Sequence, residues 1–154
     1  MADPRRLQFG AHDPALTYKD RPTAFGLLER EGRIACVRIR KPGEAAFHDL
    51  PGGALDAGED AAAAMVREFA EETGLVVEAG EEFAGAAQYL MKTEQGPVNN
   101  LCRFFEARLV GEDPAAKVED DHELVWLDPL EALARLRHDA HAWAVAAWIR
   151  RRAR

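Results

Sequence analysis

Three kinds of protein are excluded by what this chain has little of. It holds only two cysteines, Cys36 and Cys102, each in an apolar, strand-like setting. No disulfide framework is open to it, and both read as reduced core residues of a cytoplasmic protein. No apolar run approaches the roughly 20 residues of a membrane span, and residues 1–9 lack the apolar segment of a signal peptide. Basic residues are in the minority, 20 against 27 acidic, for a formal net charge of −7. That balance argues against a sequence-independent grip on polymeric nucleic acid, which needs clustered Lys and Arg. It leaves small phosphorylated substrates open. Internal repeats are absent, and the only low-complexity stretch is Ala61–Ala64. A chain of 154 residues is long enough to bury a sizeable core, and 1–154 reads as one domain.

What the chain does have is concentrated between Leu50 and Leu75. Asp60 is a good N-cap, Ala61–Ala64 are strong helix formers, and Gly74 stands where a left-handed C-terminal residue is wanted. Ala62, Met65, Val66 and Phe69 recur at helical spacing as an apolar stripe. Glu68, Glu71 and Glu72 fall beside it on one face. Like charges so spaced cost a helix roughly 0.2–0.5 kcal/mol per pair, and Arg67 relieves only part of that. Such a face is either solvated or holds a hard divalent cation, which takes carboxylate oxygens. Just upstream, Leu50-Pro51-Gly52-Gly53 reads as a tight turn whose glycines let a backbone carbonyl approach a ligand.

Gly53, five residues, Glu59, seven residues, then Arg67-Glu68-Phe69-Ala70-Glu71-Glu72-Thr73-Gly74-Leu75 resembles the Nudix box at every fixed position. The resemblance implies an α/β fold, a Nudix-type α/β/α sandwich around a mixed β-sheet, over roughly residues 20 to 137. It implies Mg²⁺ or Mn²⁺ on Glu68, Glu71 and Glu72, with the Gly53 carbonyl as a fourth ligand. Glu59 and Arg67 would brace the loop against the helix, with Gly52 and Gly74 structural. The reaction implied is hydrolysis of a nucleoside diphosphate linked to another moiety. The alternative is a Nudix-fold nucleotide-binding or regulatory module without turnover, against which every acidic position of the box is filled.

The rest of the chain is read around that box. Residues 1–20 form an arm that is either flexible or packs on a partner subunit in a homodimer. Thr23–Leu28 and Arg33–Arg40 are strands joined by a turn at Glu29–Gly32. Arg38, Arg40 and Lys41 end the second strand, either to hold a diphosphate or as a solvated terminus. His48 is a substrate contact, an acid, or a polar partner in packing. Val76-Val77 and Phe83–Met91 are strand material interrupted by Ala79–Glu82, and Lys92–Asn100 is a polar loop. Tyr89, Lys92 and Asn99 are either substrate contacts or ordinary polar surface residues. Leu101–Val110 is a strand. The acidic segment Glu119-Asp120-Asp121-His122-Glu123 precedes a strand with Trp126 and is either solvated or functional; in the family such a loop carries a further carboxylate as ligand or base, here one of Glu119, Asp120, Asp121 or Glu123, with Glu119 and Glu123 the favoured pair. Asp128-Pro129 opens a helix that turns Leu130, Leu133 and Leu136 inward. A final helix occupies 138–154, with Ala142, Val145, Ala146 and Ile149 as its stripe. Its arginines Arg150, Arg151, Arg152 and Arg154 favour the helix C-terminus rather than an RNA.

Overall fold

The structure, a computed structural model, describes residues 6–92 and 94–153. Two sheets carry the chain. The larger is mixed and runs β1 (Leu7–Phe9), β7 (Leu75–Lys92), β8 (Gly96–Glu112), β2 (Lys19–Leu27), β6 (Gly52–Ala54). Its β1–β7 and β8–β2 pairs are parallel; its β7–β8 and β2–β6 pairs are antiparallel. The smaller sheet is antiparallel and built on β4 (Arg33–Ile39), which pairs β3 (Glu29–Arg30), β5 (Phe47–Asp49) and β9 (His122–Leu127). Helix α1 (Ala61–Thr73) lies on one side; α2 (Pro129–Arg135) and α3 (Asp139–Arg152) lie on the other.

Strand alternation divides the interior in two. Phe25 and Leu27 of β2 meet Ile34 and Cys36 of β4, Phe104 of β8 and Trp148 of α3 in one core. Their neighbours Ala24 and Ala35 face the other way, toward Met65 and Phe69 of α1. Met65 and Phe69 are fully buried, and each contributes roughly 2–3 kcal/mol of transfer free energy. The capping chemistry of α1 is as expected. Asp60 Oδ1 accepts from Ala63 N at 2.8 Å, and Gly74 closes the helix at φ 75° with its N–H on Ala70 O.

Several segments depart from the sequence reading. Leu50–Gly53 is not a tight turn: Gly52–Ala54 pair with Thr23–Phe25 as an edge strand. Gly52 holds φ 149°, and a Cβ there would lie 2.2 Å from the Ala24 carbonyl oxygen. Gly52→Ala is therefore expected to cost about 2 kcal/mol or more, since neither the dihedral nor the facing backbone can give. Urea unfolding measures this, and an unchanged midpoint would contradict it. Strand β7 is continuous through Ala79–Glu82, which the chain accommodates as register shifts against β8 rather than as a loop. The polar loop is short, because Asn99 and Asn100 are buried in β8. In α3 the buried stripe is Ala140, His141, Ala144, Val145 and Trp148, and Ala146 is exposed. Leu130 is 69% exposed, whereas Leu136 is buried.

The N-terminal arm lies on the protein's own sheet. Gln8 exchanges side-chain hydrogen bonds with Asn99 at 2.9 and 3.2 Å, and Phe9 packs 6.3 Å from Trp143. Residues 1–5 of that arm lie outside the described residues, as does Arg154 of the C-terminal cluster. Of the other arginines there, Arg151 pairs with Glu81 and Glu106, and Arg152 with Glu29. Cys36 and Cys102 are buried free thiols, and burial pushes them up to about 12 and about 11. Among the described residues no helix is long and apolar enough to cross a membrane.

Candidate active site

Helix α1 brings its acidic face against the β6 edge. A Cβ on Gly53 would meet the Glu68 carboxylate at 2.8 to 3.0 Å. Only glycine lets the carboxylate rest on the main chain at that point. The loop after β8 adds to this edge because the last turn of α1 has spare carbonyls. Glu71 O accepts from Val118 N at 2.9 Å and from Glu119 N at 3.2 Å, and Gly74 O accepts from Asp113 N at 2.8 Å. That stitching sets Glu119 near the helix. Burial first, then the charges of Glu71 and Glu119, raise the Glu68 carboxyl above its ordinary range, against the opposing pull of Arg67.

Arg67 is the brace. Its Nε and Nη2 hold Glu59 at 2.9 Å each, and Nη2 also reaches Ala54 O at 3.1 Å. Nη1 takes one oxygen of Glu68 at 3.1 Å and one of Glu71 at 3.2 Å. The hydrogen bond from Arg67 holds the Glu59 carboxyl down at about 2, while Glu59 drives Arg67 above its already high value. Glu68 Oε2 and Glu71 Oε1 take no hydrogen bond from the guanidinium.

Glu72 is only 7% exposed. Its Oε1 accepts from Gly52 N at 2.9 Å, and its Oε2 lies 3.0 Å from His122 Nε2. Burial pushes the Glu72 carboxyl up to about 7 against those hydrogen bonds. Burial alone would lower His122, yet its contacts with Glu72 and Asp121 carry it up to about 9. Glu119, Asp121 and His122 bring ligand-type atoms within 4.8 Å of one another.

Sequence reasoning weighed Asp121 but favoured Glu119 and Glu123, and it missed His122. Glu123 stands on the far side of β9: Leu124 and Trp126 meet the α1 core, whereas Val125 and Leu127 belong with the other. Its side chain, 55% exposed, pairs with Arg40 at 3.6 Å and Arg38 at 4.0 Å. Lys41 pairs with Asp121 at 3.3 Å. All three basic residues at the end of β4 thus meet the acidic segment.

Other cations influence one another through their charges. Arg21 donates to Asn100 Oδ1 at 3.1 Å; burial lowers its guanidinium, and the Glu68 charge opposes that. Burial first, then Arg21 and Arg137, pull Lys92 below the usual ammonium range. Arg137 forks onto Asp49 at 2.8 and 3.3 Å and lies 3.7 Å over the Phe47 ring. The His48 carbonyl accepts from Arg137 N at 2.9 Å, and burial lowers the His48 imidazole. Tyr89 is part of an aromatic cluster instead, with ring centroids 4.6 Å from Tyr18 and 4.9 Å from His12. Arg21 was not legible in advance, because Lys19–Pro22 carries no strand period.

A sandwich with an arginine-braced acidic helix laid on a glycine edge defines a hydrolase of the Nudix type, acting on phosphoric anhydrides. The chain belongs to the NUDIX domain family, whose model matches residues 18–149. In structure it is similar to a NUDIX hydrolase from Nitrosomonas europaea, at 22% identity and TM-score 0.72 over 84% of this chain and 88% of that one. A MutT NUDIX hydrolase from Burkholderia pseudomallei matches at 25% identity and TM-score 0.61, over 84% and 98%. An ADP-ribose pyrophosphatase from Streptococcus suis matches at 23% and 0.59, over 82% and 87%. No curated protein matches by sequence.

Proposed function

We propose that the chain hydrolyses the phosphoanhydride of a nucleoside diphosphate linked to another moiety, using Mg²⁺ or Mn²⁺. The observation that carries this is the seating of Glu68 against Gly53, where a Cβ would intrude on the carboxylate. Glu71 and Glu72 share the helix face of Glu68 and offer further carboxylate oxygens, donors that suit a hard divalent cation. Glu68, Glu71, Glu72 and the Gly53 carbonyl would hold the ion. When bound, such an ion neutralises the diphosphate and acidifies a water.

The chain's own residues supply the rest. Arg67 fixes one oxygen of Glu68 and one of Glu71, so both carboxylates keep their rotamers. Glu119 brings a carboxylate that no arginine takes up among the described residues, and it accepts the proton of the attacking water. Arg21, which the Glu68 charge reaches, and Lys92, which the Arg21 charge reaches, carry the charge that meets the diphosphate. That one structurally similar chain is an ADP-ribose pyrophosphatase supports a substrate of the same class.

The test is a product-resolved screen over ADP-ribose, dinucleoside polyphosphates, oxidised nucleoside triphosphates and nucleotide sugars, with Mg²⁺ or Mn²⁺. Release of phosphorylated products from at least one class, abolished by a chelator, is expected. Folded protein that turns over none of them would be a nucleotide-binding module instead.

A further inference from the structure

The two oxygens of Glu72 are fixed from opposite sides. Gly52 N–H, 2.9 Å from Oε1, comes from the glycine edge; His122 Nε2, 3.0 Å from Oε2, comes from β9. His122 is itself held from behind, with Nδ1 at 2.7 Å from Asp121 Oδ1. Asp121 is held in turn by Lys41 Nζ at 3.3 Å. Both ring nitrogens thus face carboxylates, and the imidazole bridges Asp121 to Glu72.

Resting on the metal-centre reading above, we propose that His122, oriented by Asp121, is a positioning residue that fixes Glu72 for coordination. Three rotatable bonds separate the Glu72 carboxylate from its backbone. Gly52 N–H restrains one oxygen, and without a donor from β9 the other is free to swing. The strand register supports the assignment. His122 lies opposite Ile39 at the end of β4, so the same pairing that builds the small sheet delivers the imidazole to α1. Partners of this kind commonly change metal affinity or activity 10- to 100-fold when removed.

The experiment measures Mn²⁺ affinity from the electron paramagnetic resonance of the free ion, together with kcat, KM and thermal midpoint. Wild type, His122→Ala, His122→Gln and Asp121→Asn are compared. His122→Ala should weaken Mn²⁺ by about 10- to 100-fold and lower kcat, while KM for the nucleotide stays within a few fold. His122→Gln retains an N–H toward Glu72 and should recover most of the affinity. Asp121→Asn keeps an acceptor for Nδ1–H and should lie within a few fold of wild type. Should His122→Ala fail to fold, His122→Asn, whose amide is too short to reach Glu72, takes its place.

Wild-type Mn²⁺ affinity in His122→Ala, with only the thermal midpoint lowered, would overturn the proposal and leave a structural histidine. Tighter Mn²⁺ binding in that variant would also overturn it, by showing that His122 competes with the ion for Glu72. A wild type that binds no Mn²⁺ would instead overturn the metal-centre reading itself.

Discussion

Glu72→Gln should lower metal-dependent hydrolysis by about two to four orders of magnitude, the range that loss of a group acting at the reacting atoms commonly costs. Glu71→Gln should do the same. The amide is nearly isosteric with the carboxylate, and its oxygen can still accept from Gly52 N–H, so the β6 edge stays in place. What is lost is one negative charge beside Glu68 and Glu71; Glu68 is already raised by burial and then by the charges of Glu71 and Glu119. Glu72 is buried, so a neutral side chain there relieves desolvation while giving up the pairing with His122. These two effects oppose each other, and the thermal midpoint should move by only a few degrees. The measurement is kcat with saturating Mg²⁺ beside a melting curve. Activity within threefold of wild type in a folded Glu72→Gln protein would place the chemistry elsewhere.

Helix α1 was readable because its signals are local. Asp60, the Ala61–Ala64 run and Gly74 specify a helix whatever surrounds them, and the box residues sit at fixed distances along it. The strands were less readable where tertiary pairing overrides local chemistry. Ala79-Gly80-Glu81-Glu82 has the composition of a turn, yet the ladder with β8 runs through it with shifted register. Asn99 and Asn100 look like loop residues, but Gln8 and Arg21 satisfy them inside the sheet. Helix α3 was misphased because alanine is uninformative about which face is buried, and the side chain that marks the phase is a histidine.

The acidic segment failed for a different reason. Both faces of β9 are apolar, Leu124 and Trp126 on one and Val125 and Leu127 on the other. Alternation shows that His122 and Glu123 point apart, but not which of them meets α1. The register of β9 against β4 decides it.

Acid should unfold this protein earlier than its carboxylates alone would dictate. His141 is 1% exposed, set between Phe25 and Phe104, and its Nδ1 accepts from Leu50 N at 3.1 Å. That bond requires an unprotonated Nδ1, hence a neutral ring. Burial, reinforced by the charges of His138 and Arg137 and opposed by Asp49, pulls His141 down to about 3. Burial likewise pulls His138 down to about 4. In the unfolded chain both titrate near 6.5. Below that pH the unfolded state binds protons the folded state refuses, so stability falls as the pH drops from about 6.5 toward 4. At about 1.4 kcal/mol for each unit of depression, the two rings together cost several kcal/mol over that window. That is a large share of the 5–15 kcal/mol that typically holds a domain together. His122 works in the opposite sense: its raised value stabilises the fold below about 6.5 and is lost as the pH rises through about 9. Urea midpoints measured from pH 7.5 to 4.5 should therefore fall steeply on the acid side. His141→Gln keeps an acceptor for Leu50 N but cannot be protonated, and it should flatten that slope by about half. A wild-type midpoint that stays level between pH 7 and 4.5 would mean that the interior accommodates a charged imidazole, and that its contact with Leu50 does not govern acid stability.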